Sequence, residues 1–454
     1  MKPARILIGL LLSAAALYAA RTAGLDDKIV WTIAITTLTA VWWVTEALPI
    51  PATSLVPFAL FPLAGVLDQR QAAAALGSYV IILLMASFML SKALSKSGLH
   101  ERLALYMIHL VGVSGGRLVL GFMVAAAVLS MWISNTATTL MLATMALAIL
   151  SRTDDPKLGA PLLLGIAYAA SLGGTATLIG TPPNLIFAEN FLLATGEEYS
   201  FTGWMATGLP IVFLGIPVMW MWLTRSLKGV TAPALRDPGP WAPDEARTMI
   251  VFGLAILMWV TRAEPFGGWS GALGMELAGD STVAVLAVIL MFLVPDGKGG
   301  ALLDWKTASD IPWGMLLLFA GGICIASAFR ASGLDLLIGE NLAMLATLPV
   351  FAMILGLCLS VTFLTEITSN TATANLLMPL LAAVAAGAGI KPELLMIPAV
   401  ISSSCAFMLP VATAPNAIIY GTGRVSIARM AREGVMLNIL IALIVASVCW
   451  ALLR

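Results

Sequence analysis

Charge is what this sequence has least of. Lys, Arg, Asp and Glu make up 11% of its 454 residues, whereas soluble domains carry about 25%. With 60% hydrophobic residues and a mean hydropathy of +0.98, that shortage excludes a soluble globular fold and implies an all-α polytopic membrane protein. The 24 basic and 24 acidic residues cancel, so nucleic acid, which needs a basic face, is not an expected partner. Cysteine is scarce as well. Cys324, Cys358, Cys405 and Cys449 are scattered through apolar stretches without a C-x-x-C pair, which argues against a disulfide framework or a zinc site and for small core residues. His100 and His109, the two histidines, fall in the amphipathic stretch 99–110 and read as interfacial.

Uncharged polar clusters break this apolar background. Asn135 lies in Ser134-Asn135-Thr136-Ala137-Thr138-Thr139, and Asn370 in Ser369-Asn370-Thr371-Ala372-Thr373-Ala374. A bilayer does not solvate free amides and hydroxyls, so such clusters belong inside protein or around a polar cavity. A single cluster is often only interhelical glue. Two copies at matched positions point instead to a ligand site and a carrier.

Apolar runs predict spans near 4–22, 28–46, 48–66, 76–95, 204–226, 248–262, 280–295, 312–331 and 434–453. Four more runs are interrupted: 116–151 at 134–139, 158–196 at 173–184, 349–388 at 365–373 and 394–424 at 410–416. Interrupted pairs in both halves are the mark of discontinuous helices around a midplane site. The halves align by hand. Ser332-Gly333-Leu334 follows Ser97-Gly98-Leu99 by 235 positions, Asn370 follows Asn135 by 235, and Asn416 follows Asn184 by 232. Trp43-Val44-Thr45 and Trp259-Val260-Thr261 are a weaker pair, 216 apart.

Lys2 and Arg5 ahead of Ile6 to Ala20 resemble a signal peptide, but a retained first helix gives the loops consistent parity. With a cytoplasmic N-terminus, the inside carries 17 of the 24 basic residues, among them Lys92, Lys96, Arg102, Lys228, Arg236 and Lys306. The C-terminus is then outside, as are Arg330 and the acidic Glu197-Glu198 and Glu264 stretches. The hairpins enter from opposite sides under this assignment, so the repeats are inverted and alternating access follows.

Both Ser-Asn-Thr hairpins, the Gly173-Gly174-Thr175 to Gly180-Thr181-Pro182-Pro183-Asn184 break, the segment Ser404 to Asn416, and Trp42 to Pro49 resemble the divalent anion:sodium symporter family, the INDY-like dicarboxylate transporters. The resemblance implies about eleven transmembrane helices plus two re-entrant hairpins in an elevator-type homodimer of the bacterial inner membrane, surrounded by lipid. Scaffold helices would span 1–112 (first repeat from about 28) and 247–347, and transport-domain halves 113–228 and 348–454, with a cytoplasmic linker at 229–246. It further implies one Na+ site at Ser130, Ser134, Asn135 and a carbonyl of Gly173 or Gly174, and a second at Thr365, Thr368, Asn370 and Ala412. Substrate carboxylates would meet Asn135, Thr136, Gly174, Thr175, Asn370, Thr371, Thr413 and Ala414. Ala414 departs from the pattern, since related members commonly have proline there. Expected cargo is succinate, malate or fumarate by sodium symport, with sodium-independent exchange, citrate or sulfate as alternatives. No organic cofactor is expected.

The electrostatics agree with that expectation. Lys or Arg at the bilayer centre costs about 2.5–3.5 kcal/mol on insertion scales, and none lies in the four breaks. Helix N-termini supply roughly half a positive charge each, and the two or three expected from the breaks do not offset a dianion, so co-bound cations on Asn, Ser and carbonyl oxygens make up the rest. Glu46 is expected near an interface and Glu366 to orient its hairpin, against a proton-carrier alternative for both. Gly112-Val113-Ser114-Gly115-Gly116 fits G-x-S-x-G but lacks the strand-to-helix context and a base partner that a hydrolase needs. A channel or passive scaffold is the remaining alternative.

Overall fold

The computed structural model describes residues 2–112, 115–152, 157–227, 237–263, 267–342 and 349–454. Within them the chain is helical, with 23 α-helices and one short 3-10 turn. An isolated antiparallel bridge joins Pro295 and Ala301. Among the described residues, eight helices are long and apolar enough to cross a membrane. Among the positions read from the sequence, Ser114, Lys228, Arg236 and Glu264 lie outside the described residues, as do residues 229–236 of the 229–246 linker.

The uninterrupted runs become helices with two qualifications. Residues 48–66, expected as one span, form Ile50–Thr53 and Val56–Leu63. Pro51 and Pro57 lack the N–H that a continuous helix uses, and each instead opens its own short helix. The other helices start and end within about five residues of the expected bounds, except Ile427–Leu453, which begins seven residues before the expected start at 434. Gly98 and Gly333, the matched landmarks, end helices Tyr79–Ser97 and Trp313–Ser332 with the same left-handed φ of 77°, a conformation glycine takes without strain. Glu46 is the one non-glycine with positive φ among the described residues. It is exposed and ends Asp27–Thr45, donating its N–H to the Trp42 carbonyl.

All four interrupted runs are broken helices. The first gives Gly115–Ser130 and Asn135–Leu150, and the third Val350–Thr365 and Asn370–Ala388. Each Ser-Asn-Thr motif therefore starts its second helix, with Ser134 or Ser369 as N-cap, and does not form the unwound turn itself. The second run gives Gly159–Gly173, the 3-10 turn Gly174–Ala176 and Pro182–Thr195; the fourth gives Glu393–Ser403 and Ala414–Gly421. Unwinding in the fourth begins at Ser404, earlier than the proline at 410 suggested.

The second break is deeply buried. The segment Gly159–Ala176 has 94% of its apolar window buried, and it packs on Gly115–Ser130, Asn135–Leu150 and Phe201–Thr224. Such depth requires small residues at contacts. A methyl on Gly173 would lie 2.4 Å from the Ala127 Cα, one on Gly208 2.6 Å from the Thr175 carbonyl oxygen, and one on Gly434 2.2 Å from that of Phe407. Phe407 follows Thr175 by 232 positions. A glycine-bearing helix thus packs directly on the same point of each break. All four cysteines are buried and free.

Candidate functional site

Two hairpin tips and two unwound segments meet around one cavity of about 710 Å³, a volume suited to a small organic anion. Its walls include Ser134, Asn135 and Thr136 from the first tip, Ser369, Asn370 and Thr371 from the second, Gly180, Thr181 and Pro182 from one break, and Ala412, Thr413 and Ala414 from the other.

The two tips use the same bond. Ser130 donates its hydroxyl to the Asn135 side-chain oxygen, and Thr365 donates to that of Asn370 at 2.8 Å while also reaching the Ser403 carbonyl at 2.9 Å. In each tip a hydroxyl five residues upstream orients the asparagine across the turn. Thr368 bonds elsewhere, to the Leu364 carbonyl at 3.0 Å and the Thr373 hydroxyl at 2.7 Å.

The two breaks are also braced alike. Asn184 donates its amide to the carbonyls of Gly174 (3.1 Å) and Thr177 (2.7 Å). Asn416 donates to Ala406 and Leu409, both at 3.0 Å. Thr181 and Thr413, each extended with φ near −140°, then begin Pro182–Thr195 and Ala414–Gly421. The Thr413 hydroxyl accepts from the Asn416 N–H at 3.2 Å, whereas Thr181 makes no side-chain cap bond.

Four helix N-termini therefore border one cavity, at Asn135, Pro182, Asn370 and Ala414. Ser134 and Ser369 make no side-chain cap bond, which leaves first-turn N–H groups to meet an anion. Lys92 is the basic residue in the lining, and it is paired with Asp310 at 2.5 Å. The site can receive negative charge on amide dipoles and offers neutral oxygens for cations.

Of the residues expected at the site, Ser130, Gly173, Gly174, Thr175, Thr365 and Thr368 do not line the cavity. Thr175 is fully buried, donates its hydroxyl to the Leu172 carbonyl at 2.7 Å, and accepts the Trp204 indole N–H on its own carbonyl at 2.8 Å. Gly173 is where the chain passes Ala127 closely. Gly174 stays adjacent: a methyl there would meet the Asn135 side chain at 2.7 Å. The residues that line the cavity instead are Gly180 and Thr181. The repeat register contains the signal, because 232 positions before Ala412 and Thr413 stand Gly180 and Thr181.

A family model described as a citrate transporter matches residues 40–395. The chain belongs to that family. It is 38% identical to the sodium-dependent dicarboxylate transporter SdcS of Staphylococcus saprophyticus over 98% of this chain and 90% of the relative. The SdcS of Staphylococcus aureus strain NCTC 8325 is 37% identical over 93% and 86%. These relationships bear out the resemblance to divalent anion:sodium symporters: the chain is a membrane transporter and not a hydrolase. Solved structures share the fold. The YdaH transporter of Alcanivorax borkumensis matches with a TM-score of 0.61 at 16% identity, covering 84% of this chain and 87% of that one. MtrF of Neisseria gonorrhoeae, described among antimetabolite efflux pumps, matches at 0.56 and 14%, covering 86% and 83%.

Proposed function

We propose that this transporter imports C4-dicarboxylates such as succinate, malate or fumarate by sodium symport across the bacterial inner membrane. The observation that carries this reading is the meeting of four helix N-termini and two hydroxyl-oriented asparagines at one cavity. Two carboxylates fit a site with two similar halves. Asn135, Thr136 and Thr181 would take one, and Asn370, Thr371 and Thr413, beside Ala414, the other.

Asparagine suits a coupled site because its N–H groups can face a carboxylate while its oxygen faces a cation. One Na+ would use oxygens of Ser130, Ser134 and Asn135 with a nearby backbone carbonyl of Gly174 or Gly180. A second would use Thr365, Asn370 and the Ala412 carbonyl, with Thr368 holding the turn. Neither dianion nor cations bind well alone in a low-dielectric site, which links anion uptake to the sodium gradient.

The cavity reaches Lys92 and Asp310, on the face that the loop charges assign to the cytoplasm. This arrangement suits an inward-facing state of an elevator in which both broken-helix pairs move against a scaffold. Under the domain bounds given above, the chain would work as a homodimer of inverted repeats with two re-entrant hairpins.

Citrate is the second reading, because the matching family model carries that description. Competition in proteoliposomes separates the two: unlabelled succinate, malate and fumarate should each suppress labelled succinate uptake, and citrate far less. Equal suppression by citrate at the same concentration would move the assignment to the tricarboxylate. Exchange against internal succinate in sodium-free buffer would favour an antiporter.

A further inference from the structure

Asn184 and Asn416 brace the two unwound segments in the same way, yet a carboxylate holds one of them. Glu366, which directly follows Thr365, is 3% exposed. Its Oε1 accepts the backbone N–H groups of Phe407 at 2.7 Å and Met408 at 2.8 Å, and the Asn438 amide at 2.8 Å. Its Oε2 accepts the Leu409 N–H at 2.9 Å. Three successive N–H groups converging on one carboxylate form an anion nest. In the first half Met131 occupies the place of Glu366, 235 positions earlier. There the backbone closes a 3-10 turn at Gly174–Ala176, and Met131 contributes its carbonyl to the Thr177 hydroxyl at 2.6 Å.

We propose that Glu366 is a positioning residue for the second cation site, fixing the unwound segment 404–413 against the second hairpin and so making the two half-sites unequal. This rests on the sodium-coupled reading above and adds to it which site depends on a charged brace. Thr365 and Glu366 lie side by side at the end of one helix. Thr365 ties the tip asparagine to the Ser403 carbonyl, and Glu366 ties the same turn to 407–409. A cation held between tip oxygens and unwound carbonyls needs both walls placed to within about 0.5 Å. The first half-site achieves this with neutral bonds alone. The second adds a negative charge one residue from a proposed ligand.

All four partners given for Glu366 are N–H donors, the set that an acceptor-only carboxylate takes.

Glu366→Gln tests the inference, since the amide keeps the volume but turns an NH2 towards backbone N–H groups. In proteoliposomes, the sodium concentration for half-maximal succinate uptake should rise about tenfold, the scale of losing a charge-assisted bond. Sodium cooperativity should fall towards a Hill coefficient of one. The succinate KM at saturating sodium should stay within about twofold. Asn438→Ala removes one donor from the same carboxylate and should shift the sodium requirement in the same direction but less, which keeps the test open if Glu366→Gln does not fold. An unchanged sodium requirement in either folded variant would overturn the inference, as would an equal proportional loss at every sodium concentration. Wild-type uptake that ignores sodium would instead contradict the parent reading.

Discussion

Asn184 and Asn416 stand 232 positions apart and make the same pair of bonds, each side-chain amide bridging two carbonyls that lie ten and seven residues upstream. Both are fully buried. Their role is to stop two unwound segments from collapsing or rewinding, because unwound backbone at membrane depth must find partners within the protein. Asn184→Ala and Asn416→Ala should therefore each cost about 2 kcal/mol through unsatisfied buried carbonyls. A lowered unfolding temperature in detergent, with loss of uptake, is the expected result. Wild-type stability in both would show that the carbonyls find other partners.

Thr181 and Thr175 give a sharper contrast. Thr181 lines the cavity and makes no cap bond, whereas Thr175 is turned into the helix packing. Thr181→Val should raise the succinate KM by about tenfold or more, the cost of one lost hydrogen bond to a charged group. Thr175→Val should leave the KM within about twofold. The reverse ranking would return the substrate contact to the glycine-rich segment.

Ala414 opens its helix at a position where proline is well tolerated, as Pro182 shows at the matching place. Ala414→Pro should fold normally, remove one first-turn N–H from the cavity wall, and change affinity or selectivity among dicarboxylates. Its sodium dependence should change less than that of an Asn370 variant. Identical affinity and selectivity would make the alanine a neutral variation.

Lys92 and Asp310 form an ion pair in the cavity lining. Pairing with Lys92 holds the Asp310 carboxyl below its ordinary range. Asp310→Asn leaves the lysine charge uncompensated, so the anion should bind about twofold to threefold more tightly from that side, an effect that salt screens. Initial rates of counterflow at low and high ionic strength measure it. Weaker binding at low salt would assign Lys92 no part in attracting the anion.

Much of the architecture was legible because repetition is hard to mimic by chance. The offsets shared by Gly98 and Gly333, Asn135 and Asn370, and Asn184 and Asn416 located both hairpins and both breaks, and the structure gives each pair the same local geometry. Hydropathy was less informative about where unwinding begins. Ser134 and Ser369 read as parts of polar interruptions, yet as N-caps they start helices, since serine satisfies either role. The glycine pair at 173–174 drew attention from Gly180 because glycine signals both carbonyl exposure and close packing. Only the path of Ala127 past Gly173 separates the two. The partners of Glu366 were invisible in the sequence, for they are backbone N–H groups some forty residues away.

The central claim is that Asn135 and Asn370 join cation and anion binding at one site. Its most direct test is accumulation of labelled succinate in proteoliposomes under an inward sodium gradient, with wild type, Asn135→Ala and Asn370→Ala each shown to be folded and inserted. The account predicts cooperative, sodium-driven accumulation by the wild type that collapses when choline replaces sodium, and none by either variant. Near-normal accumulation by either variant, or undiminished wild-type uptake without sodium, would contradict it.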